Sequence, residues 1–166
     1  DLAGNSLTLS GNGYRQLGAN NFMITNSGVG GALTAGDATF FVNSATTRIA
    51  TATSINRLDK EGGGTLILLG NQSFPGGIAV GGILQIGENS AASIPADTAI
   101  VNNGTLRFQA TTDQDLSGAY KGIGTLEQRG TGTLRLLATN VVANLGQYNG
   151  RLTFAPGARV LITNNF

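Results

Sequence analysis

Cysteine, histidine and tryptophan are absent from these 166 residues, proline occurs three times, and charged residues make up only 11% of the chain. Without cysteine there is no disulfide, thiolate nucleophile or thiolate metal site, and without histidine the commonest metal ligand and general base is missing. Ten Lys and Arg against nine Asp and Glu give a formal net charge of +1, spread from Arg15 to Arg159. Such a chain has no long-range field to draw in a polyanion, so no nucleic-acid partner is expected. No apolar run approaches the roughly 18 residues of a membrane span, and Asp1-Leu2-Ala3-Gly4 has neither the basic nor the apolar region of a signal peptide. If the parent is secreted, this is a mature or excised segment. The lack of cysteine suits the cytosol and suits equally a chain that crosses an oxidising periplasm unfolded.

What is present is 26 glycines and an ordinary 40% of apolar residues, a balance that argues against both collagen and disorder. The apolar residues fall in short alternating runs, such as Leu7-Thr8-Leu9 and Phe22-Met23-Ile24, which is the period of strands. The chain also repeats itself. Gly64-Thr65-Leu66-Ile67-Leu68, Gly82-Ile83-Leu84-Gln85-Ile86, Gly104-Thr105-Leu106-Arg107-Phe108, Gly132-Thr133-Leu134-Arg135-Leu136 and Gly150-Arg151-Leu152-Thr153-Phe154 share one pattern, and Gly124-Thr125-Leu126 is a shorter copy. Successive leucines lie about twenty residues apart, except for the short step from Leu126 to Leu134. At an offset of 68, Leu58, Gly62, Gly64, Thr65, Leu66, Leu68, Leu69, Gly82 and Leu84 all find their equals downstream.

In each copy the leucine and the residue two later share one face, leaving Thr65, Ile67, Arg107, Arg135 or Thr153 on the other. A five-residue strand cannot bury that face alone, so turns must stack. The expected fold is all-β, a right-handed parallel β-helix (solenoid) of roughly eight rungs and about 40 Å. It is read as a single segment over residues 1–166, with the best-matching repeat at 58–89 and a second copy at 124–155. Glycine suits the corners through positive φ or close backbone approach, and asparagine, as at Asn71, Asn102-Asn103, Asn140 and Asn164-Asn165, suits strand ends and amide ladders. The Ala-, Thr- and Ser-rich stretch Ser44 to Asn56 has no fixed register and reads as two irregular strands or a protruding loop.

Over Gly62-Gly63-Gly64-Thr65-Leu66-Ile67-Leu68-Leu69-Gly70-Asn71-Gln72-Ser73-Phe74-Pro75-Gly76-Gly77 and Gly81-Gly82-Ile83-Leu84-Gln85-Ile86-Gly87, the sequence resembles the autotransporter-associated β-strand repeat. That resemblance implies a type V secretion passenger, a right-handed parallel β-helix at the bacterial surface or outside the cell. It further implies an outer-membrane β-barrel translocator in the parent protein, and a repeat that helps export by folding close to that barrel. The second copy departs from the pattern by lacking the paired glycine after its turn.

No residue is assigned a catalytic, cofactor-binding or metal-binding role. Asp59 and Glu61 flank Lys60 on one strand face at a spacing suited to a glycosidic bond, with Arg57 beside them, but a solvated outer face explains them as well. Asp113-Gln114-Asp115 has oxygens for calcium yet no further acids nearby, and Arg135 is a possible companion. Gly28-Val29-Gly30-Gly31 lacks the lysine of a phosphate loop and reads as a turn. A hydroxyl nucleophile would have only Lys60, Lys121 or a carboxylate as its base. Asn71-Gln72-Ser73 and Asn103-Gly104-Thr105 fit a glycosylation pattern that the repeat explains. Tyr14, Tyr120 and Tyr148 are candidates for sugar stacking or for corners of the core. The leading reading is a non-enzymatic stalk that supports export. The alternatives are an adhesin or self-associating module that binds another copy or a host glycan, and a polysaccharide-active β-helix enzyme.

Overall fold

The computed structural model describes residues 1–10, 13–142 and 144–162. Asn164-Asn165, read above as suited to a strand end or an amide ladder, lies outside the described residues. Every regular element among the described residues is a strand, and the strands pair in parallel through a solenoid of about six turns.

The strands fall on three faces. The first carries, in order, Leu7–Thr8, Ala32–Val42, Ala52–Glu61, Ile78–Val80, Ile100–Asn102, Tyr120–Lys121, Asn140–Val142 and Val160–Ile162, with Tyr14–Gln16 also paired to Ala32–Val42. The second runs from Phe22–Thr25 through Thr46–Ala50, Thr65–Leu68, Ile83–Ser90, Thr105–Ala110 and Thr125–Gln128 to Asn144–Gln147. The third begins with the pair Gly70–Asn71 and Ala92–Ser93 and resumes with Gln114–Leu116, Thr133–Leu136 and Arg151–Phe154. The first turn is the longest: Phe22 pairs with Thr47, 25 residues on, whereas in the next turn Thr46 pairs with Thr65, 19 residues on.

On the second face Thr47, Leu66, Leu84, Leu106, Leu126 and Leu145 stand in one register column. Thr47 and the four leucines after it are fully buried, and Phe40, Leu58, Phe74 and Phe108 fill the core around them. Burying a leucine contributes roughly 1.5–3 kcal/mol, so stability is distributed along the axis and each turn depends on its two neighbours.

The glycines that open these strands have a common cause. Gly82, Gly104 and Gly124 lie one above another, and a Cβ on each would stand 1.9, 2.1 and 2.3 Å from the carbonyl oxygen of the glycine one turn below. None of the three needs a left-handed backbone; close approach alone selects glycine.

The leucine series divides between faces. Leu126 belongs to the second face, while Leu134 and Leu152 form a column on the third above Gln114. The short step from Leu126 to Leu134 is therefore two strands of one turn. The offset of 68 likewise carries Leu58 on the first face to Leu126 on the second, and Leu66 on the second to Leu134 on the third.

Ser44 to Asn56 is regular rather than looped. Thr46–Ala50 is a strand with alternating burial, and Ala52 begins the long first-face strand. Asn102 and Asn140 are fully buried instead of forming ladders at exposed ends.

Candidate functional site

Asp59, Lys60 and Glu61 separate as strand alternation requires. Lys60 points inward in phase with Leu58 and is fully buried, and its ammonium donates to the carbonyl oxygens of Glu61 at 2.6 Å and Gly62 at 2.9 Å. Burial pushes its pKa down to about 8, against an opposing pull from Glu61. Asp59 and Glu61 face out, and Asp59 accepts from Arg57 Nε at 2.8 Å. The arginine that a lyase-type reading would use for substrate is thus spent on the carboxylate beside it.

Asp113 and Asp115 also face out, and both hold Arg135, through its Nη1 at 3.0 Å and its Nε at 2.5 Å. The backbone amide of Thr133, then Arg135, keeps the Asp113 carboxyl below its usual range. Gln114 between them is buried, and it repairs a break in the third face. Its Nε2 donates to Ile94 O at 2.9 Å and its Oε1 accepts from Ile94 N at 3.0 Å, so the side-chain amide supplies the pairing that a backbone strand would have made. Gln114→Leu, which leaves both Ile94 groups without partners in a dry corner, is expected to lower stability by about 2 kcal/mol, read as a shift of the urea midpoint at unchanged slope.

The outward side of the second face carries a chain of ionic contacts that crosses turns. Arg107 reaches Gln85 on one side and Glu127 on the other, and Arg129 shares Glu127 while lying 4.2 Å over the Tyr148 ring. Burial acts to raise the Glu127 carboxyl, but hydrogen bonds from Arg129 and Arg107 hold it below its usual range. Arg48 grips both oxygens of Glu88 at 2.6 and 2.8 Å and depresses that carboxyl too. Ile67, outward by strand phase, is only 4% exposed because this pair joins the turns on either side of it. A general acid needs a carboxyl shifted upward. Glu88, Asp113 and Glu127 are all shifted downward.

The tyrosines divide three ways. Tyr14 packs between Phe22 and Phe40, with ring centroids at 5.7 Å from each. Tyr120 is buried and accepts from Asn102 Nδ2 at 2.7 Å. Tyr148 is exposed beneath Arg129. Gly28-Val29-Gly30-Gly31 forms the turn between the second-face strand Phe22–Thr25 and Ala32–Val42, with Gly28 and Gly31 against Gly4 and Asn5 and Val29 in solvent. Asn71 and Asn103 are exposed, and Asn71 accepts from Ser93 across one turn. Two shallow grooves of about 330 and 270 Å³ share Ser73 and Pro75 at the corners before the first face, and Asp97 is the titratable group in their lining. Sequence reading missed Gln114 and Lys60 as core elements, although the phase set by Leu58 for Lys60 and by Leu116 for Gln114 carried the signal.

The chain matches no protein-family model and no solved structure. It is similar to the adhesin BmaC autotransporter of Brucella suis biovar 1 (strain 1330), at 33% identity over 68% of this chain. The aligned part spans 4% of that relative's length.

Proposed function

We propose that this chain is a non-enzymatic stalk segment of an autotransporter-like passenger, wound right-handed and held at the bacterial surface or outside the cell. One continuous rod over residues 1–166 carries the repeat at 58–89 and again at 124–155. In the parent protein, the turns nearest an outer-membrane β-barrel translocator fold as they emerge and so favour export. One observation carries the reading: a leucine column runs from Leu66 through Leu84 and Leu106 to Leu126 along the axis, while the outward carboxylates of Asp59, Glu88, Asp113, Asp115 and Glu127 are each bound to an arginine. That is the chemistry of a wall and leaves little free for turnover. Stacking in the manner of a repeat protein lets each new turn add to a finished one.

The test is to place the chain directly ahead of an autotransporter translocator and to measure surface display and protease resistance. A clear gain over an unstructured spacer of equal length is expected. Equal display with either insert would overturn the reading. An adhesive role is the second reading, favoured by the name of the relative. A polysaccharide-cleaving role through Asp59 and Glu61 or Asp113 and Asp115 predicts product from a glycan panel, and on the stalk reading none is expected.

A further inference from the structure

The long strands Ala32–Val42 and Ala52–Glu61 pair along nearly their whole length, but the next turn is in register with the second of them only at Leu58, Asp59 and Lys60. Its first half therefore has an open edge. The Leu9 amide donates to Thr34 O at 2.9 Å, so Thr34 faces the turn before it, and its register partner Ser54 turns both backbone groups back toward Ala32–Val42. Alternation then points the N–H and C=O of Thr53 and Ile55 at the following turn, where no hydrogen bond meets them among the described residues. Pro75, across the gap, has no N–H to offer. This gap is the groove of about 330 Å³, walled by Thr53 and Ile55 on one side and by Ser73 and Pro75 on the other.

Two buried polar atoms belong to the same gap. The Thr53 hydroxyl has no hydrogen-bond partner among the described residues, and neither has Oε1 of Gln72, a side chain only 4% exposed. Gln72 Nε2 donates at 3.0 Å to Thr51 O, one step back along the open edge. The break between Ala92–Ser93 and Gln114–Leu116 is different, because the chain closes it with its own side chains. Gln114 binds both backbone groups of Ile94, and Thr112 Oγ1 donates to Ala92 O at 2.7 Å and accepts from Ala92 N at 3.3 Å. One break is sealed, and the other keeps donors and acceptors to spare. A row of backbone N–H and C=O groups is matched by another backbone. We propose that this groove takes up an extended peptide segment of a partner protein, as a strand added to the edge formed by Thr53 and Ile55. The open edge is about 10 Å long and spans about three residues. Asn56 in its wall holds Asp37 at 2.8 Å, Asp97 lines the adjoining groove, and Arg57 is bound to Asp59, so the segment that fits is uncharged or basic. The inference gives the adhesive reading a class of partner and rests on it only for its setting. Binding by one chain is weak and gathers strength where many copies are held close together.

Two NMR measurements on the whole chain test this. Without any peptide, amide exchange should alternate along the strand, Thr53 and Ile55 exchanging at least about tenfold faster than Ser54. The probe is a blocked seven-residue peptide of alternating threonine and valine with a lysine at each end. It is expected to give saturable shifts at Thr53 and Ile55 with an affinity on the order of 1 mM, and to slow the exchange of both amides. The same peptide methylated on every interior backbone nitrogen should shift neither. Ser73→Trp, which fills the groove from an exposed position, should weaken binding at least about tenfold with unchanged circular dichroism. Thr53→Pro removes an N–H that the fold does not use and should do the same. Equal protection of Thr53, Ser54 and Ile55, a methylated peptide that binds as well as the plain one, or a response to maltotriose in place of the peptide would each overturn the proposal. Surface display of Ser73→Trp is expected to equal that of the wild type, so the stalk reading stands or falls separately.

Discussion

Gly104→Ala is expected to destabilise the chain by about 3 kcal/mol, whereas Gly36→Ala should leave stability within about 0.5 kcal/mol or raise it slightly. Both glycines lie at or within strands, and neither has a left-handed φ, so backbone preference does not separate them. Surroundings do. A Cβ at Gly104 would meet Gly82 O at 2.1 Å and the Gly81 carbonyl carbon and Gly82 nitrogen at 2.9 Å, all backbone atoms of the turn below. Those atoms cannot swing aside as a side-chain tip would, and moving them disturbs Gly82, which already lies as close to the carbonyl of Gly62. At Gly36 a Cβ meets nothing within 4 Å. Urea unfolding of both variants decides the matter: equal midpoints would show that the turns are not packed at this separation, and that the glycine before each leucine has some other cause.

That result bears on how much of the fold is legible in the sequence. The column Leu66, Leu84, Leu106, Leu126 is visible as a repeat because each residue has the same neighbours above and below, and equal surroundings select equal residues. The face on which a repeat unit sits is not visible. Leu126 and Leu134 are alike in sequence because the second and third faces impose the same demand, a glycine at a close approach and then an inward leucine. A solenoid with three similar faces therefore lets a unit recur out of phase by a face, as the offset of 68 does, without any local sign. Thr46 to Ala50 is opaque for a different reason: of its two inward positions only Ile49 is apolar, and Thr47, also fully buried, passes in composition for a loop residue.

The surface is legible only in part. Asp59 and Glu61 on one side of a strand follow from alternation, and so does the inward turn of Lys60. That Arg57 binds Asp59 and Arg135 binds Asp113 and Asp115 depends on distances that spacing does not give. Gln114 lies further from sequence reading still, since its role exists only because the backbones of the third face part company between Ala92–Ser93 and Gln114–Leu116.

Lys60 gives the sharpest consequence of this inward alternation, a stability that rises with pH through a range where most proteins lose it. Phe40, Val80 and Gly82 surround its stem and head from the adjoining turns, Glu61 is the acid beside it in sequence, and among the described residues two backbone carbonyls accept from its ammonium. Burial lowers its pKa from 10.5 to about 8. The folded state therefore binds this proton less tightly than the unfolded chain does, and stability increases as pH rises from about 8 toward 10.5. Tyr120 limits the usable window: burial raises its pKa, so the unfolded chain ionises first and stability falls again above about pH 10. Between pH 7 and 9.5 the wild type is expected to gain about 2 kcal/mol, and Lys60→Met to show no such rise. At pH 7 the same variant escapes a penalty of about 3 kcal/mol and withdraws a donor from two carbonyls at about 1 kcal/mol each, a net gain of roughly 1 kcal/mol. Urea midpoints of both proteins at the two pH values measure the rise of each with pH and the net difference between them at pH 7. A flat wild type, or an equal rise in Lys60→Met, would place the lysine in water rather than in the core. If the rise belongs to the wild type alone, the interior of this rod holds a charge at neutral pH that its leucines must outweigh, and only backbone oxygens at a single corner keep it there.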